Sequence, residues 1–274
     1  MNDTTAGREP LPTPTLGLEG STVLITGGAS GIGFAAAEYL VAVGGRVTIA
    51  DVVDESLERA ADLLGAPDRV MVMQCDTTDE DRVRIVVDQT VEHFGRLDGV
   101  VTSAGVRQVS TPATGVPWEV WSRVMEVNLR GTFVAARCAA RVMVEQGAGS
   151  IVTVSSLSGA VPRMGQVVYG TSKAGVMQLT RVLAIELARS GVRVNSIAPG
   201  TTRTPLIEQA IRDEGEHLLE ERIRGNPAAF RAGVPLGRLA FAEDQAGVIA
   251  FLLSPLSRFV TGHVLFVDGG ESII

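Results

Sequence analysis

Short apolar runs recur along the chain, each bounded by glycine or polar residues. They are Val23-Leu24-Ile25, Val47-Thr48-Ile49-Ala50, Val70-Met71-Val72-Met73, Gly99-Val100-Val101, Ile151-Val152-Thr153-Val154, Val192-Arg193-Val194-Asn195 and Val264-Leu265-Phe266-Val267. Runs of this length, rich in β-branched residues, predict buried strands. Helical spacing fills the gaps, for example from the glycine-rich turn to about Val43, from Glu55 to about Leu64 and from about Asp79 to Phe94. Strands alternating with helices predict a parallel sheet covered on both faces. The expected fold is therefore α/β: a single-domain, Rossmann-type, doubly wound sheet of about seven parallel strands.

Two stretches break the pattern. Residues 1–19 hold three prolines and several threonines without periodicity, which predicts a loose arm ahead of the domain at 20–274. Residues 201–240 are charged and irregular, and read as an inserted loop with short helices, a candidate lid over a ligand.

Composition then narrows the function. The chain has 274 residues, 45% hydrophobic and 20% charged, which excludes disorder. A net charge of −7 without a basic block argues against nucleic acid as a partner. No apolar run reaches about 18 residues, so no membrane span is predicted. The N-terminus lacks the basic and apolar regions of a signal peptide. Cys75 and Cys138 suit reduced thiols, and the expected location is cytoplasmic. His93, His217 and His263 are too scattered for a metal site, and none is predicted.

The first run leads into Thr26-Gly27-Gly28-Ala29-Ser30-Gly31-Ile32-Gly33. Glycines between a buried strand and a helix allow a tight turn, and the helix N-terminus attracts a pyrophosphate. Asp51, 18 residues past Gly33 and at the end of the second strand, suits the adenosine ribose hydroxyls of NAD and repels the 2′-phosphate of NADP. Asp76, after the third strand, is placed for the adenine edge or serves as a turn former.

Only one lysine, Lys173, is present, and one of only two tyrosines, Tyr169, stands four residues before it. Residues i and i+4 share a helix face. An ammonium beside a phenol favours the phenolate and makes it a usable general acid/base. Ser156, just past the fifth strand, is placed to hold the reacting oxygen, with Ser155 as its rival. Asn128 is either a satisfied core amide or the holder of a water in a proton relay from Lys173.

These residues resemble the NAD(P)-dependent short-chain dehydrogenase/reductases, over about residues 18–270. The resemblance rests on Thr26–Gly33, Asp76, Asn128, Ser156, Tyr169 with Lys173, Pro199-Gly200 with Thr204, and Val267-Asp268-Gly269-Gly270. It implies a catalytic tetrad of Asn128, Ser156, Tyr169 and Lys173. It implies a cofactor site at Gly27, Ser30, Gly31, Ile32, Gly33, Asp51, Val52, Asp76, Thr77, Ser103, Ala104, Gly105, Tyr169, Lys173, Pro199, Gly200, Thr202 and Thr204. It also implies a homo-oligomer, a tetramer or failing that a dimer. The chain departs from the family at Thr102-Ser103-Ala104-Gly105, where Asn-Asn-Ala-Gly is usual.

Ala160–Gly165 and Arg222-Ile223-Arg224-Gly225, with Gly233–Ala240, are similar to the family's 2,3-dihydro-2,3-dihydroxybenzoate dehydrogenase branch. Arg203 departs from that branch, which tends to have an acid there. The implied substrate is a cyclic hydroxy-carboxylate. Arg163, with Arg107 and Arg224 as further candidates, would pair with its carboxylate. A dihydro-3-hydroxyanthranilate dehydrogenase, a general secondary-alcohol or 3-oxoacyl reductase, and a non-catalytic NAD-binding sensor are the alternatives.

Overall fold

The computed structural model describes residues 15–215 and 217–273. Most of the expected N-terminal arm, residues 1–14, lies outside the described residues, as does Ile274. Leu18, at the end of that expected arm, is already buried in the core.

Seven strands form one sheet: β1 (Thr22–Thr26), β2 (Arg46–Asp51), β3 (Val70–Gln74), β4 (Gly99–Thr102), β5 (Gly149–Val154), β6 (Val192–Pro199) and β7 (Val264–Val267). All neighbours pair in parallel, in the order β3-β2-β1-β4-β5-β6-β7. Nine helices connect them among the described residues: α1 (Gly31–Ala42), α2 (Asp54–Leu64), α3 (Glu80–Phe94), α4 (Trp118–Met125), α5 (Thr132–Gln146), α6 (Val167–Leu187), α7 (Pro205–Glu214), α8 (His217–Arg224) and α9 (Ala242–Leu253). This is the single doubly wound α/β domain that the hydrophobic pattern predicts.

Successive side chains of a strand point to opposite faces, so each apolar run feeds two cores. Val23 and Ile25 of β1 pack with α1, α2 and α9, whereas Leu24 between them packs with α3, α5 and α6. Leu24 and Ile25 are wholly buried, and each such side chain contributes about 1.5–3 kcal/mol on leaving water. The α3 helix starts where Asp79 accepts the backbone N–H of Arg82 at 3.0 Å, a cap that the sequence marks. Among the described residues no helix is long and apolar enough to cross a membrane.

The topology determines where a site can form. The chain steps from one side of β1 to the other between β3 and β4, so the loops after β1 and β4 diverge and leave a crevice at their carboxyl ends. The segment from 201 to 240 rises over that crevice as α7, α8 and a short turn at Pro227–Ala229. Its two ends are joined at the base, where Arg203 N donates to Ala240 O (2.8 Å) and Ala240 N to Thr201 O (3.1 Å).

Candidate active site

A cavity of about 680 Å³ runs along the carboxyl ends of the strands, from Asp51 and Asp76 to Tyr169 and the lid. At one end, Gly27 turns the chain with φ of +63°, and a Cβ there would lie 2.6 Å from the Ala104 backbone. The loops after β1 and β4 can pack this closely only without a side chain. Gly33 plays a different part. It lies inside α1 and does not line the cavity, and a Cβ on it would lie 2.3 Å from the Gly27 carbonyl, so it lets the helix pack on the turn. The first turn of α1 therefore aims its backbone N–H groups into the cavity.

Asp51 accepts hydrogen bonds from Ala29 N (3.2 Å) and Val52 N (2.8 Å), which fixes its carboxylate beside the glycine loop. Asp76 accepts both the backbone N–H and the hydroxyl of Thr78 at 2.8 Å, so it is a turn former that also borders the cavity. Val52, Thr77, Ser103, Ala104, Gly105, Pro199, Gly200, Thr202 and Thr204 line the cavity together with Ser30, Gly31 and Ile32. The departure at Thr102 leaves a trace, since its buried hydroxyl has no hydrogen-bond partner.

At the other end, Ser156, Tyr169 and Lys173 converge. Ser156 accepts the Ser158 N–H at 3.2 Å, and its hydroxyl favours the ionised form of the Tyr169 phenol. Its rival Ser155 is occupied inside the sheet, donating to Ile197 O at 2.7 Å. Lys173 is buried and donates to Val154 O at 2.9 Å. Burial pushes its ammonium down to about 8. Burial pushes the Tyr169 phenol up, opposed by the Ser156 hydrogen bond and the positive charge of Arg222. The structure thus differs from the expectation that Lys173 lowers the Tyr169 pKa: desolvation is the larger effect, and Arg222 is the cation that opposes it.

Asn128 stands behind the cavity wall, in a π-helical segment at Glu126–Gly131 that interrupts α4 and α5. Its side chain accepts from Val106 N (2.7 Å) and donates to Val106 O (3.0 Å) and Ser172 Oγ (3.2 Å). The side-chain amide is satisfied, and it clamps the loop after β4 to α6. Gln108, which sequence reasoning missed, supports the tyrosine from the other side. Its carbonyl accepts the backbone N–H groups of Val168 and Tyr169 at 3.0 and 3.1 Å.

The candidate arginines separate. Arg107 borders the cavity and is ion-paired to Asp213 of α7, joining the β4 loop to the lid. Arg163 borders it too, but donates to Glu271 at 2.6 Å. Arg224 does not line the cavity. It is exposed and paired with Glu220 at 3.2 Å. The arginine of Arg222-Ile223-Arg224 that lines the cavity is Arg222, and Arg231 joins it from the lid. Residues two apart on a helix point about 200° apart, so only one of the pair can face inward.

A glycine loop at a helix N-terminus, an acid at the end of β2 and a Ser-Tyr-Lys cluster around a buried lysine are the features of a nucleotide-dependent oxidoreductase. A family model described as enoyl-(acyl carrier protein) reductase matches residues 27–272. The chain is 39% identical over 251 residues to cis-4-hydroxycyclohexanecarboxylate dehydrogenase of Sinomonas cyclohexanicum, covering 92% of this chain and 96% of that one. It is 36% identical over 260 residues to 2,5-dichloro-2,5-cyclohexadiene-1,4-diol dehydrogenase of Sphingobium indicum, covering 94% and 99%. The structure of 3-ketoacyl-(acyl-carrier-protein) reductase from Brucella melitensis complexed with NADH superposes with a TM-score of 0.83 at 32% identity, covering 93% and 100%. The chain belongs to the short-chain dehydrogenase/reductase family. It is an oxidoreductase of the class that acts on CH–OH donors with a nicotinamide cofactor.

Proposed function

We propose that the protein oxidises a secondary alcohol on a cyclic carboxylate with NAD⁺, the favoured substrate being a dihydrodiol of the 2,3-dihydro-2,3-dihydroxybenzoate type that becomes aromatic. One observation carries the substrate class. Among the described residues beside Tyr169 and Ser156, the cavity wall presents Arg163, Arg222 and Arg231 with one acid, Glu271. The other described acids that line the cavity, Asp51 and Asp76, belong to the glycine-loop end. A wall with excess guanidinium favours an anionic ring substrate. The similarity to a hydroxycyclohexanecarboxylate dehydrogenase supports the same class.

The residues present fit the dinucleotide. The backbone from Gly27 to Gly31 would meet the pyrophosphate, Asp51 the adenosine ribose, Lys173 the second ribose, and Thr204 with the backbone near Thr202 the carboxamide. Bound NAD⁺ supplies the hydride acceptor. Ser156 holds the substrate hydroxyl oxygen, and Tyr169 takes its proton as general base. Ser156 and the positive charge of Arg222 favour the phenolate, Lys173 orients the second ribose from the same helix face as Tyr169, and Asn128 keeps the β4 loop and α6 in register. In a dihydrodiol, the ketone so formed tautomerises to an aromatic ring, which drives the oxidation forward.

The same reading makes the chain a homotetramer, or else a dimer. Supporting it are exposed apolar side chains on the helices that the family pairs, among them Phe133 on α5 and Val182 and Ile185 on α6. A panel of cyclic hydroxy-acids with NAD⁺, followed by nicotinamide absorbance, tests the function. Turnover of neutral alcohols with none of the hydroxy-acids would reject it.

A further inference from the structure

Glu271 follows β7 in Asp268-Gly269-Gly270-Glu271 and is 0% exposed. One of its oxygens, Oε1, accepts from two guanidiniums: Arg163 Nη2 at 2.6 Å and Arg231 Nη2 at 3.2 Å. Arg163 comes from the wall before α6, and Arg231 from the lid after α8. The same Arg231 Nη2 donates to Thr201 Oγ1 at 3.0 Å, and Arg222 Nη1 reaches that hydroxyl at 3.5 Å. Thr201 therefore lies between two lid arginines, both lining the cavity.

Arg163 and Arg231 meet Glu271, and the buried Asp268 acts on Glu271 from the same turn, so the two guanidiniums face two carboxylates in a place largely shut off from water. Two hydrogen-bonding atoms there lack partners among the described residues, Arg231 Nε and Glu271 Oε2. A buried donor is costly to leave unmet. An incoming carboxylate supplies the acceptor that Arg231 Nε lacks. Arg163 is the less suited to receive it, since it lies deeper, with its side chain 7% exposed against 17% for Arg231.

We infer that Arg231 and Arg222 of the lid receive the substrate's carboxylate, and that Glu271 is a positioning residue that holds Arg231 toward the cavity. The inference rests on the cyclic-carboxylate reading above and refines it, since it moves the anchor from Arg163 to the lid. Arg222 also bears electrostatically on the Tyr169 phenol, which sets the anchor near the reacting end. A carboxylate bound by the lid joins the covering of the site to the substrate's recognition, so neutral rings lack this contact.

Binding without turnover tests it. Cyclohexanecarboxylate and cyclohexanecarboxamide, neither of which carries a hydroxyl to oxidise, are titrated into the NAD⁺-loaded enzyme by calorimetry. The wild type is expected to prefer the carboxylate. Arg231→Gln and Arg222→Gln should each reduce the carboxylate-to-carboxamide affinity ratio at least tenfold, and Arg231→Lys should restore part of it. Thermal unfolding of each variant identifies any that fails to fold, and Arg222→Gln, on the half-buried lid, then carries the test. Unchanged ratios in the folded variants overturn the inference, as does a wild type that does not prefer the carboxylate. Oxidation of hydroxycyclohexanecarboxylates is measured separately on the wild type. Turnover with unchanged ratios in the variants rejects the lid anchor and leaves the function standing. Reduced ratios without turnover support the anchor and reject the function.

Discussion

The Lys173 ammonium lies 5.9 Å from the centre of the Tyr169 ring, one helical turn along α6, and is held there by the Val154 carbonyl. This geometry needs a compact ammonium, because the nitrogen must fit beneath the strand end and still face the phenol. Lys173→Arg retains a charge but spreads it over a planar fork that this buried space does not match. The variant is expected to lose about 100-fold in kcat, on the scale of general acid–base effects. Steady-state kinetics with any accepted alcohol check this, and a kcat within threefold of the wild type would reject the role.

The same burial makes stability depend on pH. Lys173 is pushed from 10.5 down to about 8 in the folded chain. Below about pH 8 both states carry the proton, and the folded state bears the full cost of the buried charge. Between about 8 and 10.5 the unfolded chain holds a proton that the folded one has released, so this residue's contribution to stability rises with pH. The slope is at most about 1.4 kcal/mol per pH unit. The difference in unfolding free energy between wild type and Lys173→Met should therefore climb through that window. A flat difference would mean that Lys173 keeps an ordinary pKa.

Asp51 is fixed by two backbone N–H groups beside the glycine loop. A 2′-phosphate brought there would meet its negative charge and displace the ribose hydrogen bonds, worth about 1.5–3 kcal/mol each when charged. The expected preference for NAD⁺ over NADP⁺ is at least tenfold in kcat/KM, and Asp51→Ala should narrow it. Equal kcat/KM for the two cofactors in the wild type would reject the assignment.

The parts of the molecule legible in the sequence are those written locally. Apolar runs such as Val100-Val101 lie in β4, and Tyr169 and Lys173 are brought together by one turn of one helix. The Glu271 cluster was not legible for the opposite reason. Glu271 and Arg163 are 108 residues apart, and nothing near Glu271 marks it as buried. Which arginine of Arg222-Ile223-Arg224 faces the cavity is a matter of helical phase. The α8 helix spans only His217–Arg224 and its neighbours are charged, so the sequence does not show which face turns inward. Gln108 went unnoticed because its role is to cap α6 from a distant loop.

Asn128 makes three side-chain hydrogen bonds, two of them to the backbone of Val106. Asn128→Ala leaves the part-buried N–H and carbonyl of Val106 without these partners. A fully buried group costs about 1–3 kcal/mol to leave unmet, so for two part-buried groups a loss at the lower end, about 2 kcal/mol in unfolding free energy, is expected, together with a fall in kcat. Asn128→Asp should lose the donor contacts to Val106 O and Ser172 while keeping the acceptor for Val106 N, and fall between the two. Denaturant unfolding of the three proteins checks this order, and an unaffected Asn128→Ala would refute the clamp.

Arg163 and Glu271 are both shut away from solvent, so removing one leaves the other charged and buried. Breaking such a pair costs about 3–5 kcal/mol. Arg231 remains 3.2 Å from the same carboxylate oxygen and keeps part of the compensation. Arg163→Leu is therefore expected at the lower end, about 3 kcal/mol less stable than the wild type by denaturant unfolding. Arg163→Leu combined with Glu271→Leu removes both charges and should recover much of that loss, because a buried pair replaced by apolar side chains is often neutral. The combined change also leaves Arg231 without its carboxylate, so some loss should persist. If Arg163→Leu is as stable as the wild type, the pair contributes nothing and Glu271 is neutralised by Arg231 alone. If the double variant is less stable than Arg163→Leu, the Glu271 side chain is needed by Arg231 more than it is harmed by losing Arg163.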